Sequence, residues 1–120
     1  MLRKYQIMEI LEYAQKNGGV TFNAQGTIIK AVSGYQVSFT QNFTQRADEV
    51  RTLINDVVEN ALQLSDSTQH KVFCGLWLDN GTLYVDNSVY ILTLTTAKRV
   101  GRLFKQISIF DWKNQDCINL

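Results

Sequence analysis

Residues 72–86 read Val-Phe-Cys-Gly-Leu-Trp-Leu-Asp-Asn-Gly-Thr-Leu-Tyr-Val-Asp, and this stretch decides the fold. Asn80-Gly81 separates two runs that are rich in apolar and β-prone residues. Asn-Gly is the preferred sequence of a two-residue hairpin turn, because both turn residues need a positive φ. The stretch therefore predicts a tight antiparallel hairpin.

Outward from this hairpin, apolar periodicity predicts further strands and three helices. The strands are predicted over Val20–Asn23, Thr27–Ala31, Tyr35–Thr40, Val89–Leu92, Ile107–Trp112 and Cys117–Leu120. The helices are predicted over Lys4–Lys16, from an N-cap at Thr44 to a stop at Ser65–Thr68, and over Thr96–Lys105. This order indicates a single α+β domain over residues 1–120. Its antiparallel sheet is built from hairpins, with about three helices on one or both faces.

Composition excludes several classes of function. A net charge of +1 argues against wholesale binding to duplex nucleic acid, which usually needs a strongly basic domain. The longest apolar run is too short to cross a bilayer, and we expect no signal peptide before the first helix. Cys74 and Cys117 have neither metal spacing nor a redox-pair motif, which favours reduced thiols in a cytoplasm.

The sequence offers no recognisable catalytic constellation. His70 is the single histidine and stands in a polar stretch beside Lys71, with no nucleophile at a known spacing. Asp79 and Asp86 flank the hairpin as conceivable paired acids, but hairpin ends favour aspartate for turn chemistry alone. We therefore expect neither an enzyme, nor a metal site, nor a cofactor.

The segment Asn87–Phe110 has no acidic residue and carries four cations, Lys98, Arg99, Arg102 and Lys105. Lys98, Arg102 and Lys105 have i, i+4, i+7 spacing and would share one helix face. Such a face suits phosphate or an acidic protein surface, and a solvated helix face remains the alternative. Gly101, inside this helix, indicates either a close approach to its backbone or a packing contact.

Neutral donors and aromatic rings adjoin the basic segment. Asn87, Ser88 and three threonines supply hydrogen-bonding groups near it. Trp77 and Tyr84 on the hairpin have rings that can stack on a base or ribose. Packing against a helix is the alternative for both rings.

Several motifs together resemble the phage anti-Thoeris sponge family. They are Gly18-Gly19-Val20-Thr21, Gly34-Tyr35-Gln36-Val37-Ser38, the segment Gly75–Ser88, Ala97 with Gly101-Arg102, and Gln106–Asp111. Proteins of this family bind the cyclic ADP-ribose signal of bacterial TIR immunity without cleaving it, and some homologues also hold cyclic oligonucleotides. The resemblance implies a counter-defence protein in the bacterial host cytoplasm that sequesters a cyclic nucleotide messenger.

The same resemblance implies the site and the assembly. The stacking aromatic would be Trp77, the polar group Asn87 or Ser88, and the cations Arg99, Arg102 or Lys105. An N-terminal arginine of the family has no match, and Asn23 stands in that neighbourhood. A homo-oligomer, a dimer or a larger ring, is implied too.

A second class of function fits the same segment. A protein–protein inhibitor of a host defence nuclease, comparable to an anti-CRISPR, would use the basic face or the acidic helix to bind its target. A sponge is stabilised by small nucleotides, whereas an inhibitor forms a complex with a large protein.

Overall fold

The computed structural model describes residues 1–68 and 71–120, which form three helices and seven strands. The helices are α1 (Lys4–Asn17), α2 (Val50–Thr68, preceded by a 3-10 turn, Ala47–Glu49) and α3 (Leu94–Leu103). The strands are β1 (Gly19–Phe22), β2 (Ile28–Ile29), β3 (Tyr35–Thr44), β4 (Phe73–Asp79), β5 (Thr82–Ile91), β6 (Ser108–Asp111) and β7 (Asp116–Asn119). The predicted α+β class is confirmed.

All seven strands belong to one antiparallel sheet, in the order β2-β1-β4-β5-β3-β6-β7. The β4–β5 hairpin lies near its centre and confirms the prediction for residues 72–86. Asn80 and Gly81 have φ values of 49° and 78°, as the two-residue turn requires. Because side chains alternate along a strand, the register assigns every strand residue to one of two sheet faces.

All three helices pack on the same face of the sheet. α1 and α2 bury one core with Phe22, Leu76 and Val85, and α3 buries a smaller core with Val37 and Ile109. The register puts the side chains of these five residues on one face, here called the helix face. The opposite face, here called the open face, carries no helix of the described part of the chain.

Several predicted boundaries differ from the structure. β3 runs on to Thr44, so Thr44 ends a strand; its hydroxyl accepts a hydrogen bond from the Arg46 N–H. β5 continues without a break through Ile91, where a separate strand at Val89–Leu92 was predicted. α2 extends to Thr68, the last residue of the predicted stop at Ser65–Thr68. A β-bulge between Ser38 and Thr40 adds one residue to β3, which local patterning did not predict.

The C-terminal end of α3 also differs from the prediction. α3 ends at Leu103, and Lys105 has a left-handed backbone with φ 56°. Its N–H donates to Arg102 O, and the N–H of Gln106 donates to Gly101 O, which is a Schellman motif. Lys105 therefore lies past the helix, and the predicted i, i+4, i+7 face is reduced to its two helical members.

No helix within residues 1–68 and 71–120 combines the length and the apolar content needed to cross a bilayer.

Candidate functional site

Of the four cations that sequence analysis singled out, Arg99 and Arg102 lie on the outer surface of α3, while Lys98 is half-buried and Lys105 lies past the helix. Ala97 and Gly101 face inward and are buried against the sheet, because the helix packs on Val37 and Ile109. The opposite side of the helix is left to its polar residues. Arg99 and Arg102, one turn apart, are exposed there.

Arg99 and Arg102 border an open depression of about 470 Å³ together with Thr95 and Leu103. Within the described part of the chain, the ion pairs join Arg46 to Asp48 and Glu49, and none reaches the arginines of α3. Among the described residues, neither guanidinium group is therefore neutralised by an ion pair. Two free guanidinium groups beside a hydroxyl donor can hold an anion such as phosphate.

An exposed apolar rim continues from this depression past the end of α3. Leu103 is 72% exposed and Ile107 86% exposed, while Phe104 is 41% exposed and packs against Phe39 with ring centroids 5.6 Å apart. Large apolar side chains at this exposure are suited to contact with a ligand or a partner. The four residues that line the depression, together with the exposed Phe104 and Ile107 that follow them in the chain, are here called the α3 surface.

The structure does not bring Trp77 to the α3 surface within one chain. The register places Trp77 on the open face, whereas α3 packs on the helix face. The Trp77 ring is stacked on Tyr84 with centroids 5.3 Å apart and planes 8° from parallel. The two rings pack on each other, not against a helix.

Asn87 and Ser88, one of which was predicted to supply the polar group for a ligand hydroxyl, are buried and hydrogen-bonded inside the protein, so the structure does not bring them to the α3 surface. Asn87 Nδ2 donates to the carbonyl of Val57 at 3.0 Å, and Ser88 Oγ accepts from Gln36 Nε2 at 2.9 Å. Asn87 is 0% exposed and Ser88 2% exposed. Burial of these polar groups is tolerated because each has an internal partner.

Asn23 has a structural task in the turn between β1 and β2. Its Oδ1 accepts hydrogen bonds from the N–H groups of Gln25 and Thr27, at 3.0 and 2.9 Å. This geometry shapes the turn as asparagine side chains commonly do. The turn joins β1 to β2 at one edge of the sheet. α3 packs near the other edge, which β6 and β7 form, so Asn23 does not join the α3 surface.

Asp86 is the chemically unusual residue that sequence analysis undervalued. Burial raises its pKa from 3.8 to about 6, although a hydrogen bond from the Ser38 hydroxyl opposes the shift. A Cβ at Gly75 would overlap Asp86 Oδ1, so the glycine makes room for the carboxyl group. A signal was present, since Asp86 stands inside an apolar strand with Gly75 in the paired run.

The other titratable candidates of the sequence are two thiols, Asp79 and His70. Cys74 and Cys117 are free thiols, and burial together with the charge of Asp86 raises the pKa of Cys74 to about 12. Asp79 is exposed at the end of β4. In residues 1–68 and 71–120, no three His, Cys, Asp or Glu side chains are grouped as metal ligands. His70 lies outside the described residues.

A second cavity, of about 150 Å³, lies between α2 and the bulged half of β3. Asn42, Asp56, Asn60 and Asn87 are among its polar lining residues. Asn87 is committed to internal hydrogen bonds there, because it also donates to Phe73 O at 3.4 Å. The cavity is smaller than the sites that usually enclose a drug-sized ligand.

Comparison with protein-family models, with curated proteins and with solved structures gave no match.

Proposed function

We propose that the protein binds an anionic small molecule on the α3 surface without cleaving it. The observation that carries this proposal is the exposed, unpaired pair Arg99 and Arg102 at the rim of one depression. Residues at i and i+3 lie close together on a helix, so both guanidinium groups can reach a single phosphate or two phosphates of one ligand. Arginine binds phosphate with two parallel N–H donors, which adds geometric specificity to the charge.

The lining of the depression supports a ligand that combines phosphate with a flat apolar part. Thr95 offers a hydroxyl and Leu103 an apolar surface beside the two cations. A cyclic nucleotide messenger, such as a cyclic ADP-ribose isomer or a cyclic oligonucleotide, has this composition. The resemblance to the anti-Thoeris sponges supports the same class and, with it, phage counter-defence in a bacterial cytoplasm.

Sequestration is the form of binding that suits these groups. The residues that line the depression include no carboxylate, histidine or thiol that could act as acid, base or nucleophile. The depression is open on a single chain, and tight capture of a messenger needs a more enclosed pocket. A second copy of the chain across the α3 surface would supply that enclosure, so the proposal includes a homo-oligomer.

Calorimetric titration with cyclic ADP-ribose isomers and with cyclic di- and trinucleotides tests the proposal. Arg102→Glu and Arg99→Glu should each abolish binding while leaving thermal stability nearly unchanged. Arg51→Glu is the matched control, because Arg51 is exposed on α2 and its replacement alters the net charge equally. Wild-type affinity in Arg102→Glu would show that the α3 cations are only solvated. Recovery of intact ligand after denaturation would exclude cleavage.

Inhibition of another protein is the second candidate function, and the exposed rim favours it. Leu103, Phe104 and Ile107 beside two arginines suit an acidic protein surface with an apolar centre. Absence of heat with every nucleotide, together with a stable complex with a host nuclease that Ile107→Asp disrupts, would establish this alternative.

A further inference from the structure

The open face of the sheet exposes a continuous row of aromatic rings. Trp77, Tyr84 and Phe43 are paired across β4, β5 and β3, and neighbouring ring centroids are 5.3 and 6.0 Å apart. Phe43 is 63% exposed, and the other two rings are half-buried. Gly19, paired with Trp77 on β1, has no side chain to cover the indole.

All charged side chains in the described strands are acidic. The seven described strands contain four aspartates, Asp79, Asp86, Asp111 and Asp116, and neither lysine nor arginine. The register places Asp79 and Asp86 on the open face beside the aromatic row. An aromatic surface whose strand-borne charges are all carboxylates is complementary to cations, which bind both to ring faces and to carboxylate oxygens.

One carboxylate oxygen of Asp86, Oδ1, accepts no hydrogen bond from the described residues. Its residue is 7% exposed, and Oδ2 accepts the hydrogen bond from Ser38. Oδ1 accepts no hydrogen bond within the described part of the chain. In that part, one polar side-chain atom is both fully enclosed and without a partner, and this atom is Asn55 Oδ1. Asp86 Oδ1 is therefore not fully enclosed by the described residues. A carboxylate in this position gains most from a cationic donor, since burial otherwise disfavours its charge.

We propose that the open face is a docking surface for a basic segment of a partner protein. A lysine or arginine of that segment lies over the Trp77–Tyr84 stack and donates to Asp86 Oδ1. Phe43 extends the contact along the segment, and Asp79 adds charge attraction at the hairpin end. This surface lies on the opposite side of the sheet from α3, so the inference is independent of the proposed function.

Fluorescence anisotropy with a labelled arginine hexapeptide tests this docking surface. We expect the arginine peptide to bind and an uncharged glycine-serine hexapeptide not to bind. Asp86→Asn, which keeps the size of the side chain, should weaken binding about tenfold, and Trp77→Ala by at least a few-fold. Asp116→Asn is the matched control at the sheet edge, and Arg102→Glu on α3 should likewise leave the affinity unchanged.

Circular dichroism and thermal unfolding will establish that each variant is folded. Equal affinity of wild type and Asp86→Asn for the arginine peptide would overturn the proposal. Equally tight binding of free spermine would also overturn it, because the site would then select a small polycation. Concentration-dependent self-association that Trp77→Ala abolishes would instead assign the open face to a second copy of the chain.

Discussion

Gly101 in α3 lies in contact with Leu120: a Cβ at Gly101 would stand 2.6 Å from Leu120 Cδ1 and 3.0 Å from Ile109 Cγ2. The missing side chain lets the helix approach the last two strands closely. The sequence allowed two explanations for a glycine inside this helix, a close approach to its backbone or a packing contact. The structure shows the packing contact. Arg99 and Arg102, on the other side of the helix, are held in place by this contact.

Gly101→Ala should lower the free energy of unfolding by about 1 kcal/mol. Overpacking a core costs about 1–3 kcal/mol, which exceeds the gain of about 1 kcal/mol in helix propensity. Urea denaturation measures the difference. In a Leu120→Ala background the clash with Leu120 is removed, so the same substitution should be neutral or stabilising. An increase in stability in the wild-type background would contradict the packing argument.

Asn87→Ala should destabilise the fold and leave anion binding intact. The substitution removes the hydrogen bonds from Nδ2 to Val57 O and Phe73 O, at a cost of about 1–3 kcal/mol. Thermal unfolding gives the loss of stability, and calorimetry gives nucleotide affinity below the unfolding transition. Asn119→Ala, at an exposed position of β7, is the control with little expected change. Loss of affinity in a folded Asn87→Ala variant would restore this residue to the site.

The hairpin over residues 72–86 could be predicted because its signal is local. Asn80-Gly81 provides the turn, and the residues that pair across it are close in sequence. The basic character of α3 could also be predicted, although helical spacing grouped Arg102 with Lys98 and Lys105, whereas Arg99 and Arg102 border the depression. Both predictions depend on neighbours within a few positions.

Trp77, Asn87 and Ser88 do not lie beside those arginines within one chain, and this placement could not be predicted because it depends on strand order. β3 lies between β5 and β6, and this arrangement decides which face α3 covers. The hydrogen-bond partners that bury Asn87 and Ser88 are 14 to 52 residues away in sequence. Composition and periodicity carry no information on such pairings, so polar strand residues resembled ligands.

Asp86 should make stability fall as pH rises from about 4 to about 6. Its pKa is 3.8 in the unfolded chain and about 6 in the folded protein, so the folded state binds the proton more tightly in this range. The shift in pKa corresponds to about 3 kcal/mol in the free energy of unfolding. This contribution is lost once the carboxyl group is ionised at pH 7. The thiol of Cys74 stays neutral throughout, because its pKa is about 12.

Asp86→Asn mimics the protonated carboxyl group and tests this dependence. Urea denaturation at several pH values between 4 and 8 should show a smaller decline for the variant and a higher stability at pH 7. Asp116→Asn, exposed on β7, should keep the wild-type decline. An unchanged pH profile in Asp86→Asn would mean that another group causes it.

Lys105→Gly should separate the backbone role of Lys105 from its charge. Lys105 occupies the left-handed position of the Schellman motif at φ 56°, where a side chain costs about 1 kcal/mol and glycine is favoured. The variant should therefore be more stable by about 0.5–1 kcal/mol, measured by thermal unfolding. Nucleotide affinity should fall little, since the depression is lined by Arg99 and Arg102 and not by Lys105. Lys105→Gln is the control, because it removes the charge and keeps the backbone strain. A large loss of affinity in both variants would place Lys105 in the anion site.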